Sequence, residues 1–447
     1  MPMMDISHLV SISIIICNAL FMKLKIFLFL ILMTFAASAS NIKVSNAGLI
    51  SQDINAKTWL IQFDLSWENS WHIAGSSSNR DAAWVFVKYR TNRGEWHTAF
   101  LNNTSHTITG ASSPSMSIEP AYLNPSSAFN QSSNPALGVF IYRANSSLIS
   151  GTNTISSVQL KWNYGSQSIA VADDASIDIR VFAIEMVFIP TANFAVGSGA
   201  VADNEFIITT VNTAIATTTP AGVGSLGGNA GGYPSGNTTP GSANFPNGYA
   251  SFYSMKYEIS QSQYADFLNT LTRAQQAMRF PSTTVGDYMY SAAGRTTPAN
   301  RNGIKLIADA GQNIPRKYAC DLNNNGIVNE NEDGSDIACN YLSWHDAIAY
   351  LDWAGLRPLT EMEYEKMARG NETPILNQFT WGSTNIAGAI AISTNAGASS
   401  ETVSSNLSNV IYAENGSTIN GPLRVGIFSR ATSNRENAGA GYYGNLD

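Results

Sequence analysis

Twelve residues carry the best-defined chemistry in the sequence: Asp321-Leu-Asn-Asn-Asn-Gly-Ile-Val-Asn-Glu-Asn-Glu332. Oxygen-bearing side chains fall on Asp321, Asn323 and Asn325, and Gly326 allows a sharp turn directly after them. Ile327 then offers a backbone carbonyl, Asn329 is polar, and Glu332 can bind through both carboxylate oxygens. This is the ligand spacing of a calcium loop, which wraps roughly six to eight hard oxygens around one ion. Only Asp321 and Glu332 bring charge, so the expected affinity is modest, on the order of 10⁻⁴–10⁻³ M. The alternative is a polar Asn-Gly turn that binds no ion. Cys320 immediately precedes the loop and Cys339 follows it. In an exported chain an even pair reads most simply as a disulfide, here one that closes the loop at its neck. A reactive thiol pair is the alternative.

Other candidate chemistry is sparse. His72, His97 and His106 have no carboxylate or cysteine at metal-ligand spacing and read as surface or turn histidines. His345 lies beside the apolar face of a helix and reads as structural. Trp67, Trp71, Trp84, Trp96 and Trp162 could line a sugar-binding face, although filling a core between two sheets is the more ordinary role. Charged residues make up 13% of the chain, and the formal net charge is −7. With no Lys/Arg run, this balance excludes an electrostatic footprint for nucleic acid. Abundant neutral polar residues suit a strand-rich extracellular surface.

The elements that position these groups are legible in outline. Met22-Lys-Leu-Lys, an apolar run and Ala37-Ser-Ala39 form a leader with a cleavage site, so residues 1–39 read as a signal peptide with Met22 as its true start. No later run is long enough to span a bilayer, and the chain is expected in the periplasm, on the cell surface or secreted. Strand-like runs at 59–65, 83–89, 138–143, 158–162 and 177–182 predict a β-sandwich over residues 40–182. Residues 212–248 are rich in Thr, Gly, Pro, Asn and Ser and read as a flexible loop. Ser260 with Gln263, Ser343 with Asp346 and Thr360 with Glu363 each write a helix start in capping-box form. Trp344, Ala347, Ile348 and Leu351 are expected on the packed face of the second helix. Arg369-Gly370 stops the third.

Ser343-Trp-His-Asp-Ala-Ile-Ala-Tyr-Leu-Asp-Trp353 and Arg357-Pro-Leu-Thr-Glu-Met-Glu-Tyr-Glu-Lys-Met-Ala-Arg-Gly370 resemble the signature of the formylglycine-generating-enzyme (sulfatase-modifying factor) family. That signature runs S-W-x-D-A-x-x-Y-x-x-W, then R-L-P-T-E-A-E-W-E-x-A-A-R-G. Further similar segments are Met186-Val-Phe-Ile-Pro190, Glu258-Ile-Ser-Gln-Ser-Gln-Tyr264, Trp381-Gly382 and the tail from Pro422. The resemblance covers residues 183–447 and implies a C-type-lectin-like α+β domain behind the sandwich, for a mainly β chain overall. The family pattern continues into a G-N-V-x-E-W strand and a cysteine-bearing segment, so the domain reads as truncated.

Active members of that family oxidise a cysteine of exported sulfatases to formylglycine, using copper held by two thiolates. Cys320 and Cys339 precede the S-W-x-D-A helix and do not map onto that pair, so the resemblance carries over no catalytic residue. Copper is expected only if a further C-terminal segment exists. Two functional expectations follow. One is a non-catalytic, calcium-stabilised binding or structural module whose partner is a protein or glycan at the cell envelope. The other is an incomplete chain of a formylglycine-generating oxidase acting on sulfatase cysteines.

Overall fold

The run Ala82-Ala-Trp-Val-Phe-Val-Lys-Tyr89 is too apolar for a strand with one wet face, and the fold buries both of its faces. The computed structural model describes residues 41–446 apart from 75–78, 114, 126, 147–150, 200–207, 214–245, 291–293, 413–416 and 431–432. The leader expected at 1–39 lies outside the described residues, as does most of the 212–248 loop.

The sandwich strands are β1 (Lys43–Asp53), β2 (Thr58–Ser70), β3 (Arg80–Thr91), β4 (Met116–Tyr122), β5 (Ala136–Arg143), β6 (Gly151–Asn163) and β7 (Ile177–Ile189). Then come β8 (Phe194–Val196), β9 (Thr209–Val211), β10 (Phe252–Met255), β11 (Ile304–Ala308) and β12 (Lys317–Cys320). The helices are α1 (Gln261–Leu268), α2 (Arg273–Ala277), α3 (Trp344–Trp353) and α4 (Glu361–Arg369). One sheet runs β1-β2-β6 and the other β10-β7-β3-β5-β4, with antiparallel neighbours throughout.

Alternate residues set the layers. Ile61, Phe63, Leu65 and Trp67 of β2 meet Val85, Val87 and Tyr89 of β3 and Val158, Leu160 and Trp162 of β6 between the sheets. The opposite face of β3, with Ala82, Trp84 and Phe86, packs on Tyr264, Phe267 and Leu268 of α1 and Tyr350 of α3. The order is therefore sheet, sheet, helices. Residue 183, where the family resemblance begins, falls within β7, which pairs with β3 from Ile177 to Phe188 and with β10 from Met186 to Ile189. Ser38–Asp447 form one compact unit.

All three expected capping boxes are formed, and Thr272 with Gln275 makes a fourth on α2. The expected packing face of α3 is corrected. Trp344 is 65% exposed and Ile348 37%, while Tyr350 is fully buried and Trp353 packs against Phe86 and Phe267. The cap explains the rotation: Asp346, besides bonding the Ser343 amide, pairs with Arg279 at 3.0 Å and so fixes which side faces inward. Gly370 adopts φ +64°, and a Cβ there would lie 2.2 Å from the Tyr442 ring, so glycine is required both by conformation and by space.

Candidate functional site

The twelve-residue loop leaves the end of β12, which pairs with β11 so that Cys320 faces Ile304. Its neck is closed by one residue. Asn329 donates its amide to the Cys320 carbonyl at 2.9 Å and accepts the Cys320 amide on Oδ1 at 3.1 Å, imitating a ladder step. Asn324, Gly326 and Asn329 take positive φ values of 56°, 87° and 60°. A Cβ on Gly326 would meet nothing within 4 Å, so its glycine answers to φ alone. Asn323 Oδ1 accepts the Asn325 amide, and Asn325 Oδ1 accepts the Ile327 amide. These Asx turns curl the chain and leave each carboxamide oxygen one further lone pair.

The structure distributes the expected ligands unevenly. Asp321 is fully buried, with Oδ2 accepting from Lys305 Nζ at 2.7 Å. Tyr288 donates its hydroxyl to the Asp321 carbonyl at 2.6 Å and also contacts Asn324 Oδ1. Asn323, Asn325, Ile327 and Glu332 are exposed, and Asn329 is engaged at the neck. The residue that joins Asp321 in the interior is Asp333, one position beyond the expected loop. Burial pushes its carboxyl up, against the Glu330 and Asn323 amides, and the neighbouring Asp321 and Glu330 charges add to the push. Asp333, Lys305 and Tyr288 were missed by spacing alone. Asp333 carried a signal, as a second acidic residue beside the last ligand position, but the other two come from distant segments. Among the described residues no group of three or more His, Cys, Asp or Glu converges as a metal cluster, so any ion here takes at most two carboxylates and fills the rest of its shell with amide and main-chain oxygens.

The expected disulfide is not made in the structure: Cys320 and Cys339 are both free thiols. They pack on the same apolar cluster as Tyr264 and Phe267. Burial pushes the Cys320 thiol up to about 12, with Asp266, Asp333 and Asp336 adding to the effect against a Ser335 hydrogen bond. Burial also holds Cys339 well above the usual thiol range, and Cys320 and Asp346 contribute. Cys320 is buried and Cys339 half-buried, both packed into an apolar cluster, and both precede the S-W-x-D-A helix, so they do not map onto the copper dithiolate that the family resemblance implies.

The aromatic and histidine expectations resolve by position. Trp67, Trp84 and Trp162 are buried core residues, while Trp71 and Trp96 are half-buried. Trp96 is covered by the guanidinium groups of Arg90 and Arg180. His106 is half-buried, its ring contacting the Asn102 carbonyl and accepting the Lys161 amide, whereas His345 is exposed on α3. A polar cavity of about 620 Å³ lies between the start of β1, the outer face of β7 and α1, with Asp266, Asp336 and Arg180 among its walls. Burial raises the Asp336 carboxyl to about 6, against the pull of Arg424.

Comparison with known proteins places the second part of the chain. A family model described as "Sulfatase-modifying factor enzyme 1-like domain" matches residues 183–418, more than half of the sequence. The chain is similar to the formylglycine-generating enzymes of Mus musculus and Bos taurus, at 30% identity over 131 residues in each case. That alignment covers 29% of this chain and 33% of each relative, so the chain spans about a third of the length of the curated relatives it matches. No solved structure matches it.

Proposed function

The chain belongs to the sulfatase-modifying factor enzyme 1-like family, and from that premise we propose that these residues form an exported, calcium-stabilised binding or structural module with no oxidase chemistry of their own. The domain has the family's C-type-lectin-like fold, set directly on a β-sandwich. The observation that carries the reading is the loop from Asp321, where a buried carboxylate, successive Asx turns and a positive-φ glycine build a turn lined with hard oxygens. The placement of Cys320 and Cys339 in an apolar cluster, with burial pushing both thiols above the usual range, supports the non-catalytic part. Export is supported by the leader-like sequence before Ser40 and by the neutral polar composition.

Calcium at millimolar concentration should raise the melting temperature over that in EGTA. An ion bound only to the folded state stabilises by RT ln(1 + [L]/Kd), about 1.4 kcal/mol when [L] is about ten times Kd. Scanning calorimetry of the full chain measures this directly, and an unchanged midpoint at saturating calcium would sink the reading.

A second reading has one specific observation in its favour, the similarity to relatives named formylglycine-generating enzyme. It makes the chain part of an oxidase acting on sulfatase cysteines. Mass spectrometry of a cysteine peptide incubated with the protein, copper and oxygen separates the two: conversion to formylglycine would establish the oxidase.

A further inference from the structure

The loop's hydrogen bonds leave two carboxylate oxygens unused in the interior. Asp321 and Asp333 are both fully buried, and neither Asp321 Oδ1 nor Asp333 Oδ1 closes a well-formed hydrogen bond, although the Asn323 amide acts on the Asp333 carboxyl. Their other oxygens are committed, Asp321 Oδ2 to Lys305 Nζ and Asp333 Oδ2 to the Glu330 amide, each at 2.7 Å. The Leu322 amide donates to the Asp333 carbonyl at 3.3 Å, so the chain at Asp333 lies against the residue that follows Asp321. Lys305 pairs with Asp321, and among the described residues no ion pair reaches Asp333, so the two buried carboxylates are under-compensated; buried carboxylates need a cation or donors for every oxygen. Glu332 is exposed, and its carbonyl faces Gly397, where a Cβ would lie only 2.6 Å away.

The geometry points to a calcium site whose two carboxylate ligands are Asp321 and Asp333, with the Lys305 ammonium as the resident counter-cation that calcium displaces. This rests on the calcium reading above and alters its ligand set, because Asp333 takes the place expected for Glu332. Lys305 reaches the loop from β11 and touches two loop oxygens, Asp321 Oδ2 at 2.7 Å and Asn324 Oδ1 at 3.3 Å. An ammonium donates to the same lone pairs that a metal would take, and the two cations repel at such range. The Lys305 side chain is 15% exposed, so its flexible stem has a route to water once displaced. The consequence is competition: the lysine holds the loop together without calcium and lowers the affinity for it.

The test is calorimetric titration of the full, EGTA-stripped chain with CaCl₂, with MgCl₂ as a control. Wild type, D333N, E332Q and K305Q are compared. D333N should weaken calcium binding at least about tenfold and E332Q should stay within about twofold of wild type, since affinity follows the charge of the true ligands. K305Q should bind several-fold more tightly, melt lower than wild type in EGTA, and recover in calcium. The asparagine in D333N keeps an oxygen for the Glu330 amide, and should it fail to fold, E332Q and K305Q still decide. Loss of binding in E332Q would overturn the ligand assignment, and unchanged affinity in K305Q would overturn the displacement. No calcium binding by wild type is a different result, and removes the calcium reading itself.

Discussion

Replacing Lys256 by methionine should destabilise the protein by on the order of 3–5 kcal/mol, because it removes the ammonium that bridges a buried pair of carboxylates and leaves Glu185 without its ion pair. Lys256 Nζ lies 2.9 Å from Glu185 Oε2 and 3.5 Å from Asp81 Oδ2, with all three side chains essentially without solvent. Burial alone would pull the ammonium down. Glu185, Tyr257 and Asp81 outweigh that pull, and its titration moves above the usual lysine range. The three residues come from β3, β7 and the end of β10, so the cluster joins sandwich and family domain at their shared sheet. Chemical denaturation of K256M with an unchanged slope measures the loss, and a change below about 1 kcal/mol would show that the cluster relaxes into water.

The two carboxylates are not equivalent, and the difference has a pH signature. Asp81 accepts from Ser70 Oγ at 2.6 Å, Trp67 Nε1 at 3.0 Å and the Trp71 amide at 3.1 Å, besides Lys256. Glu185 has Lys256 on Oε2, while its Oε1 closes no well-formed hydrogen bond, the Asn41 amide being a further neighbour of the carboxyl. Burial drives both carboxyls upward, but the Arg143 guanidinium acts on Asp81 in addition to Lys256, so Glu185 is the less compensated of the two. A carboxyl raised on folding contributes stability that is complete below its unfolded value and is lost as pH rises towards its folded value. Wild type should therefore lose stability upward from the ordinary carboxylate range, and E185Q should flatten that slope at little cost. D81N should be far more damaging, because its amide cannot accept from every donor aimed at it.

The helix starts were legible because a capping box is local: two residues three apart satisfy each other wherever the helix docks. Ser260, Ser343 and Thr360 accordingly cap where the sequence places them. The packed face of α3 was not legible, because the Asp346–Arg279 pair that sets its rotation joins residues 67 apart. The sandwich strands were readable from alternation. The double burial of β3 was not, since a run apolar on both faces does not say what covers the second one. At the loop, spacing singled out Asp321, Asn323, Asn325 and the turn at Gly326, but not the Asx turns that curl it. Choosing between Glu332 and Asp333 depends on the positive φ and neck bonds of Asn329, and Lys305 arrives from a neighbouring strand. Motif position cannot encode a contact supplied by another segment.

Trp84 is where the layers can be tested as one structure, and W84A should cost about 3–5 kcal/mol, the range for emptying a large aromatic site. Its indole packs with Phe86 and Phe140 on the outer face of the sheet and donates Nε1 to the Ala354 carbonyl at 2.7 Å, just beyond α3. Gly138 on the paired strand β5 makes the room: a Cβ there would lie 2.4 Å from the Val85 carbonyl and 2.7 Å from the indole. Truncation therefore opens a cavity between strand and helix and leaves a helix-terminal carbonyl without its donor. Because β3 is shared by both cores, the loss should reach sandwich and helices together. Thermal unfolding of W84A followed by far-ultraviolet circular dichroism and by tryptophan fluorescence should show one coincident transition at a lower midpoint. Two separated transitions, with the sandwich melting at the wild-type temperature, would mean that the helical layer is an independent folding unit resting on the sheet.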